Sequence, residues 1–471
     1  MKLIYNVNDK PKFPQLIIFA IQQLLAIMAA TLVVPVIIGN GMAPAAALFG
    51  AGIGTLVYLL FTKFRSPVFL GSSFAFLGSM AAAFAGASTV ALGYLGLIMG
   101  AIFAGLVYVI IAIIVKFAGV KWINKLMPAV VIGPTVAIIG LSLAGNAVGD
   151  LVSGGVKTAV SDYAVEMIEG VPTVVETSSL VSVASPLIAL VCGLVTLAVV
   201  ILCSTFGKKM ARLIPFIIGI LSGYAVAAIF TVIGNVANID ALKVIDFSVF
   251  KALVENGVGL STFITLPDFT FLTALGGFKD LDSSYVATVA VAYTPVAFVV
   301  FAEHIADHKN ISSIIEKDLL EDPGLHRTLL GDGVGSMAGA IFGGCPNTTY
   351  GESVGCVAIT GNASVVTILA AAIGAIIIAF LAPFVAFVNS IPACVMGGVC
   401  MALYGFIAVS GLKMIQKVDL EQNKNLFVVS VILIAGIGGL TLNFGSVTIT
   451  SIACALILGI LTNVMLSRKK D

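Results

Sequence analysis

Apolar runs of about 18 to 25 residues recur from one end of this 471-residue chain to the other. A run of that length suits a helix crossing about 30 Å of hydrocarbon. Such segments are read at 14–38, 44–61, 67–85, 91–115, 126–143, 186–202, 213–233, 286–303, 329–342, 345–360, 365–388, 391–409, 426–440 and 449–466. Only 10% of the residues are charged and 59% are hydrophobic, whereas an ordinary water-facing surface needs roughly 25% charged residues. A polytopic membrane protein is therefore expected, without a soluble domain. The first run, Pro14 to Ile38, is too long for the h-region of a signal peptide and lacks a cleavage site. The seven cysteines all sit in apolar stretches and form no CxxC pair, which predicts small buried side chains rather than a disulfide framework.

The placement of charge sets the orientation. With both termini on the cytoplasmic side, Lys2, Lys10, Lys12, Lys63, Arg65, Lys116, Lys121, Lys125, Lys208, Lys209, Arg212, Lys309, Lys317, Arg327, Lys413, Lys417, Lys424, Arg468, Lys469 and Lys470 all lie inside. Only Lys157, Lys243, Lys251 and Lys279 fall outside, in two long loops at 144–185 and 234–285. Short loops rich in Lys and Arg stay cytoplasmic, so an even number of spans follows. The two outer loops, with Gly, Ser, Thr and alternating Val, are expected to form short extended or irregular caps. The second divides the chain into two halves of seven spans, opposite in orientation, as in an inverted repeat.

Two segments are broken. One reads Ser66-Pro67-Val68-Phe69-Leu70-Gly71-Ser72-Ser73-Phe74-Ala75-Phe76, and the other runs from Gly343 through Pro346-Asn347-Thr348-Thr349-Tyr350-Gly351-Glu352 to Gly355. Each is third in its half. Proline removes a donor and Gly, Ser, Thr and Asn favour non-helical backbone. Such backbone is tolerated at membrane depth where it lines a wet cavity or is buried in protein. Its freed N–H and C=O groups would then meet a polar solute. Two carboxylates are read as lying well inside apolar segments: Glu303, ending the eighth span, and Glu352 in the broken tenth. An intramembrane carboxylate marks a solute or proton path. Asp307 shares a helix face with Glu303 and disfavours ionising both, which suits a proton site. His304 and His308 have the i, i+4 spacing of a metal pair, but Ile305 stands where a zincin needs glutamate. Polar packing at a helix end is the reading preferred, with no metal. Gln22 and Gln23 interrupt the first span and either reach a polar cavity or bond between helices.

These residues resemble the nucleobase–ascorbate transporter family, its uracil-transporting members in particular. The likeness covers nearly the whole chain. It rests on Gln22 to Pro35, Leu70 to Phe76, Ala302 to Ile305, Lys317 to Arg327 (KDLLEDPGLHR) and Pro346 to Thr360 (PNTTYGESVGCVAIT). It implies an all-α protein of 14 transmembrane segments in two inverted seven-span repeats, with short antiparallel strands in spans 3 and 10. A core domain would take 1–125 and 286–389, a gate domain 126–234 and 390–471, and an extracytoplasmic loop 235–285. The base would bind Glu303, Glu352, the backbone of Gly351 and Phe74, and lie beside Tyr350. Glu303 and Asp307 would couple a proton, and Gln23 and Ser73 could border the pocket. A homodimer in the cytoplasmic membrane and its lipid is implied, with no nucleic acid and no cofactor beyond the coupling proton. Three departures stand out: Asp307 replaces the histidine usual in uracil members and matches purine-transporting relatives, Gln23 replaces a first-span histidine, and Ser353 and Gly361 alter the signature around Glu352.

The reading reached is proton-coupled uptake of uracil or a closely related nucleobase. A xanthine- or urate-type purine symporter is the alternative, a membrane-embedded metalloenzyme using His304, His308 and Glu303 an alternative of another class, and a passive channel a third. No nucleotide-binding motif suggests ATP drive.

Overall fold

A computed structural model describes residues 3–119, 128–168, 171–208, 210–255, 257–444 and 447–467. Of the cations used to orient the chain, Lys2, Lys121, Lys125, Lys209, Arg468, Lys469 and Lys470 lie outside the described residues, as does the start of the predicted fifth segment. Eight helices among the described residues are long and apolar enough to cross a membrane, from Phe13–Ile38 to Ala393–Ile415. Shorter apolar helices lie at Phe74–Ala85, Val365–Ala379, Asn423–Ile437 and Ser451–Ser467.

Helix ends follow local chemistry. Proline opens the helices that begin at Phe13, Pro44, Pro186 and Pro215, because its fixed φ suits the first turn and its missing N–H would be unpaired there anyway. Thr89 and Asp282 cap two more, accepting the N–H of Leu92 at 3.2 Å and of Tyr285 at 2.7 Å.

The chain divides into two units. One holds 1–144, 260–385 and 403–471. Its centre is the crossing of helix Pro44–Phe61 with helix Leu325–Gly343, where glycines let the two backbones touch. A Cβ on Gly50 would strike the carbonyl of Gly339, and one on Gly54 would meet the carbonyl of Gly335 at 2.7 Å. Small residues serve this purpose in membranes because lipid gives no hydrophobic drive, leaving close packing to hold helices together. The glycine-lined crossing leaves a slot for the Asn347 side chain, which donates to the Gly50 carbonyl at 3.1 Å. Beside it run the two broken segments, as strands β1 (Leu70–Ser72) and, far along the chain, β4 (Asn347–Thr349). They pair antiparallel, with Gly71 opposite Thr348. Each strand leads into a short helix, Leu77–Ala85 after a 3-10 turn at Phe74–Phe76, and Gly351–Thr360. A separate knot of rings, Phe49 with Phe269, Phe342 and Phe380, packs at centroid distances of 4.8, 5.1 and 5.7 Å.

The other unit holds 145–259 and 386–402. Helices Pro186–Phe206 and Pro215–Ala237 pack there through Gly219 and Gly223, whose Cβ positions are filled by Val200 and Thr196. Its hairpin pairs β2 (Lys157–Ile168) with β3 (Val171–Ser182) residue for residue. Of the extended or irregular forms expected for this outer loop, it takes the extended one, in strands of 12 residues each. The alternating valines carried a period of two, which is the signature of a strand.

A correction concerns the eighth segment. The apolar run stops at Glu303, but the helix continues from Ser283 to Ile315. Glu303, His304, Asp307 and His308 are therefore interior to it. A hydropathy count ends at the first charges, whereas this helix persists because partners from other elements receive those polar groups.

Beyond that helix, Arg65 and Lys317 both bond Asp322, the lysine at 2.7 Å. Hydrogen bonds from Lys317 and Arg65 hold the Asp322 carboxyl below its ordinary value. A depressed folded value means that the contact is complete above the ordinary carboxylate range and lost only as acid reaches the lower value. Hydrogen exchange of residues 316–324 should accelerate only below the ordinary range, and in Asp322→Asn should be fast at every pH. For the helix crossing, Gly339→Ala should cost about 1–3 kcal/mol by overpacking. Gly405→Ala, whose Cβ meets nothing within 4 Å, should leave the melting temperature in detergent unchanged or slightly raised.

Candidate functional site

The paired strands place two helix starts at opposite ends of one short ribbon. Ser73 donates its backbone N–H to the carbonyl of Pro346 at 2.9 Å, and Tyr350 donates to Phe69 at 3.2 Å. These reciprocal bonds extend the ladder one step past each strand. They fix Phe74 and Gly351 as first residues beyond it, where the opening N–H groups of a helix have no intrahelical partner.

Around the Gly351 start the expected residues converge. Glu303 and Gly351 are exposed, Glu352 is half-buried and Asp307 is buried. Glu303 stands exposed in mid-helix between buried Ala302 and His304, so it faces an accessible recess. Asp307 approaches the same helix start, since a Cβ on Gly351 would lie 3.7 Å from its Oδ1. Its Oδ2 accepts the Thr349 hydroxyl at 2.9 Å. Tyr350 is buried and its hydroxyl donates to the Ser72 carbonyl at 2.7 Å. Its ring fills the place a Cβ on Gly71 would take, so glycine is needed there for the two segments to close. Phe74 is half-buried, and its ring meets Tyr404 edge-on with centroids 6.2 Å apart.

Two other expected border residues act differently. Ser73 is buried and serves through its backbone. Gln23 is also buried and donates from Nε2 to Ser353 Oγ, which accepts the Phe69 N–H at 3.0 Å as well. Gln23 therefore braces Ser353, the neighbour of Glu352, and through it ties the first helix to both broken segments.

Sequence reading missed one more interior carboxylate. Asp332 is 1% exposed in helix Leu325–Gly343, which overturns the count of two. Its run, Leu329-Leu330-Gly331-Asp332-Gly333, carries the signal plainly as one charge among small apolar residues. Asp332 Oδ2 lies 2.6 Å from His304 Nδ1, and His304 Nε2 lies 2.9 Å from Thr328 Oγ1. His308 Nδ1 reaches the His304 carbonyl at 2.8 Å, and its Nε2 meets the Tyr58 hydroxyl at 2.7 Å. All four ring nitrogens are thus engaged by the protein itself. The two histidines are fully buried in mid-helix, not packed at a helix end.

Set beside known proteins, residues 14–444 match the model of a family described as "Permease family". The chain is 37% identical to a uracil permease of Bacillus caldolyticus over 99% of its own length and 95% of the relative's. A uracil permease of Bacillus subtilis (strain 168) is 35% identical, covering 100% of this chain and 97% of that one. That of Escherichia coli (strain K12) is 34% identical over 97% and 92%. Among solved structures, the transmembrane domain of the cyanobacterial bicarbonate transporter BicA superposes with a TM-score of 0.55 at 15% identity, covering 97% of this chain and 99% of that one. The structure of SLC26A9 gives 0.62 at 12% identity, covering 98% and 67%. At such identities these two neighbours speak for the fold alone. The chain belongs to the permease family and is a multi-pass membrane transporter, not an enzyme.

Proposed function

We propose that this protein takes up uracil or a closely related nucleobase together with a proton. One observation carries the reading: helix Ser283–Ile315, with Glu303 and Asp307, packs on the start of helix Gly351–Thr360, with Glu352 in its first turn, and this start is opened by a strand break, so that a polar solute there finds both side-chain acceptors and backbone N–H groups. A pyrimidine edge alternates N–H donors and C=O acceptors, and a site of low water content makes each unmatched group costly. Glu352 anchors the base, Glu303 bonds it from the facing helix, and the backbone of Gly351 and Phe74 completes the edge beside Tyr350. The names of the relatives agree with this substrate. Asp307, whose Oδ1 lies against Gly351, shares protons with Glu303 in this reading.

The same reading extends to fourteen spans in two inverted repeats, supported by the reciprocal bonding of the strand ribbon. Both termini are cytoplasmic in it, as the lysines and arginines favour. Movement of the gate residues, 126–234 and 390–471, against the core, 1–125 and 286–389, alternates access. A purine symporter is the second reading, carried by the carboxylate of Asp307 in the place of a histidine.

A thermal-shift panel of uracil, thymine, xanthine, hypoxanthine and urate on purified protein separates the two. Uracil should stabilise the protein, and Glu352→Gln should weaken its binding roughly ten- to hundred-fold, the worth of one bond to a charged group. Unchanged affinity in that variant would sink the assignment of Glu352. In proteoliposomes, collapsing the proton gradient should abolish accumulation; uptake that persists would argue for a channel.

A further inference from the structure

The hydrogen bonds around His304 can be completed in either of two protonation states. His304 Nε2 lies 2.9 Å from Thr328 Oγ1, and that same hydroxyl lies 3.1 Å from the Leu325 carbonyl, which can only accept. A threonine hydroxyl has a single hydrogen. When it goes to Leu325, Nε2 must itself be N–H, and the ring, with Nδ1 donating to Asp332, is an imidazolium. When it goes to Nε2, the ring is neutral. Turning one hydroxyl hydrogen therefore accommodates either state with no heavy atom moved. We propose that the His304–Asp332 pair is a proton-binding site, distinct from the carboxylates that face the solute.

The balance is simple. An incoming proton forms a bond with the Nε2 lone pair, and the Thr328 hydroxyl swings from Nε2 to the Leu325 carbonyl. The pair passes from a net charge of −1 to zero. Both residues are buried, at 0% and 1% exposure, and among the described residues no lysine or arginine pairs with Asp332. The other titratable groups that face this point are Glu303, Asp307 and His308 on the same helix, Tyr108 from helix Val90–Ala118, Tyr58 from helix Pro44–Phe61, and Tyr350 and Glu352 from the second broken segment. His308 stacks on His304 at 4.0 Å between ring centroids, so two imidazolium ions would repel. Asp332 assigns the proton to His304. A cavity of about 10 Å³, room for roughly one water, adjoins the pair and is lined in part by Asp332, Ser336, Asn347 and Tyr108. The Tyr108 hydroxyl is buried and has no hydrogen-bond partner among the described residues.

Thr349 joins this site to the solute-facing one. Its hydroxyl donates to Asp307, its strand packs on helix Leu325–Gly343, which holds Asp332, and the next residues are Tyr350, Gly351 and Glu352. Loading the pair removes one negative charge from an interior that also holds Glu303, Asp307 and Glu352, which favours an electron-rich solute among them. This link to uptake rests on the proton-coupled reading above, whereas the proton site does not.

The chain has three histidines, so ¹⁵N-histidine labelling of the full-length protein gives a readable spectrum, with His304 assigned by its loss in His304→Gln. Between about pH 8 and about pH 5 the His304 Nε2 signal should pass from the unprotonated to the protonated type, with Nδ1 protonated throughout. Thr328→Val, which removes the acceptor for the second ring proton, should hold the ring neutral, and Asp332→Asn should abolish the switch. A single ring state across that range in the unmodified protein would overturn the site, whether or not the variants fold. At fixed pH, uracil should raise the protonated fraction. A spectrum unmoved by uracil that does shift the melting temperature would overturn the link, and failure of uracil to shift the melting temperature would instead fault the substrate assignment.

Discussion

Backbone pairing between Leu70–Ser72 and Asn347–Thr349 is the constraint from which the site follows. Inside a membrane an unpaired N–H or C=O has no water to turn to. Each broken segment would be untenable alone. Together they satisfy one another, and the two bonds just past the strands, from Ser73 and Tyr350, repeat the exchange at each end. What remains open is the start of the helix beyond each strand, and in the proposed function those starts are the groups offered to a solute. The break is thus affordable only as a pair.

That pairing in turn needs the glycine crossing behind it. Gly50, Gly54, Gly335 and Gly339 bring two helices into backbone contact and leave a slot that Asn347 enters. Gly71 does the same for the Tyr350 ring. Bulk at any of these positions would act on the ribbon before it acted on the ligand groups. Gln23 and Ser353 complete the frame, holding the residue beside Glu352 against the first strand segment.

Polar groups in the Ser283–Ile315 helix are organised on two sides. Glu303 faces an accessible recess, while His304 and His308 turn inward to Asp332, Thr328 and Tyr58. Adjacent residues on a helix point in different directions, so one turn presents both an exposed carboxylate and an interior network. Thr349 donates its hydroxyl to Asp307, and its strand packs on the helix that holds Asp332.

Much of this was legible in the residues. Apolar runs forecast where the helices lie, since a membrane span must be long and uncharged. Pro67, Gly71, Pro346 and Gly351 marked the breaks, because proline and glycine disrupt a helix wherever they occur. Glu303 and Glu352 announced themselves as charges in apolar surroundings. Asp332 carried the same signal and was passed over, and the helix through Glu303 was ended too soon, because hydropathy counts a charge without knowing its partner. Which strand pairs with which, that Gln23 braces rather than borders, and that His304 meets Asp332 are decided by contacts between residues far apart in the chain. Local sequence fixes where a backbone must open, but only tertiary packing determines what closes it again.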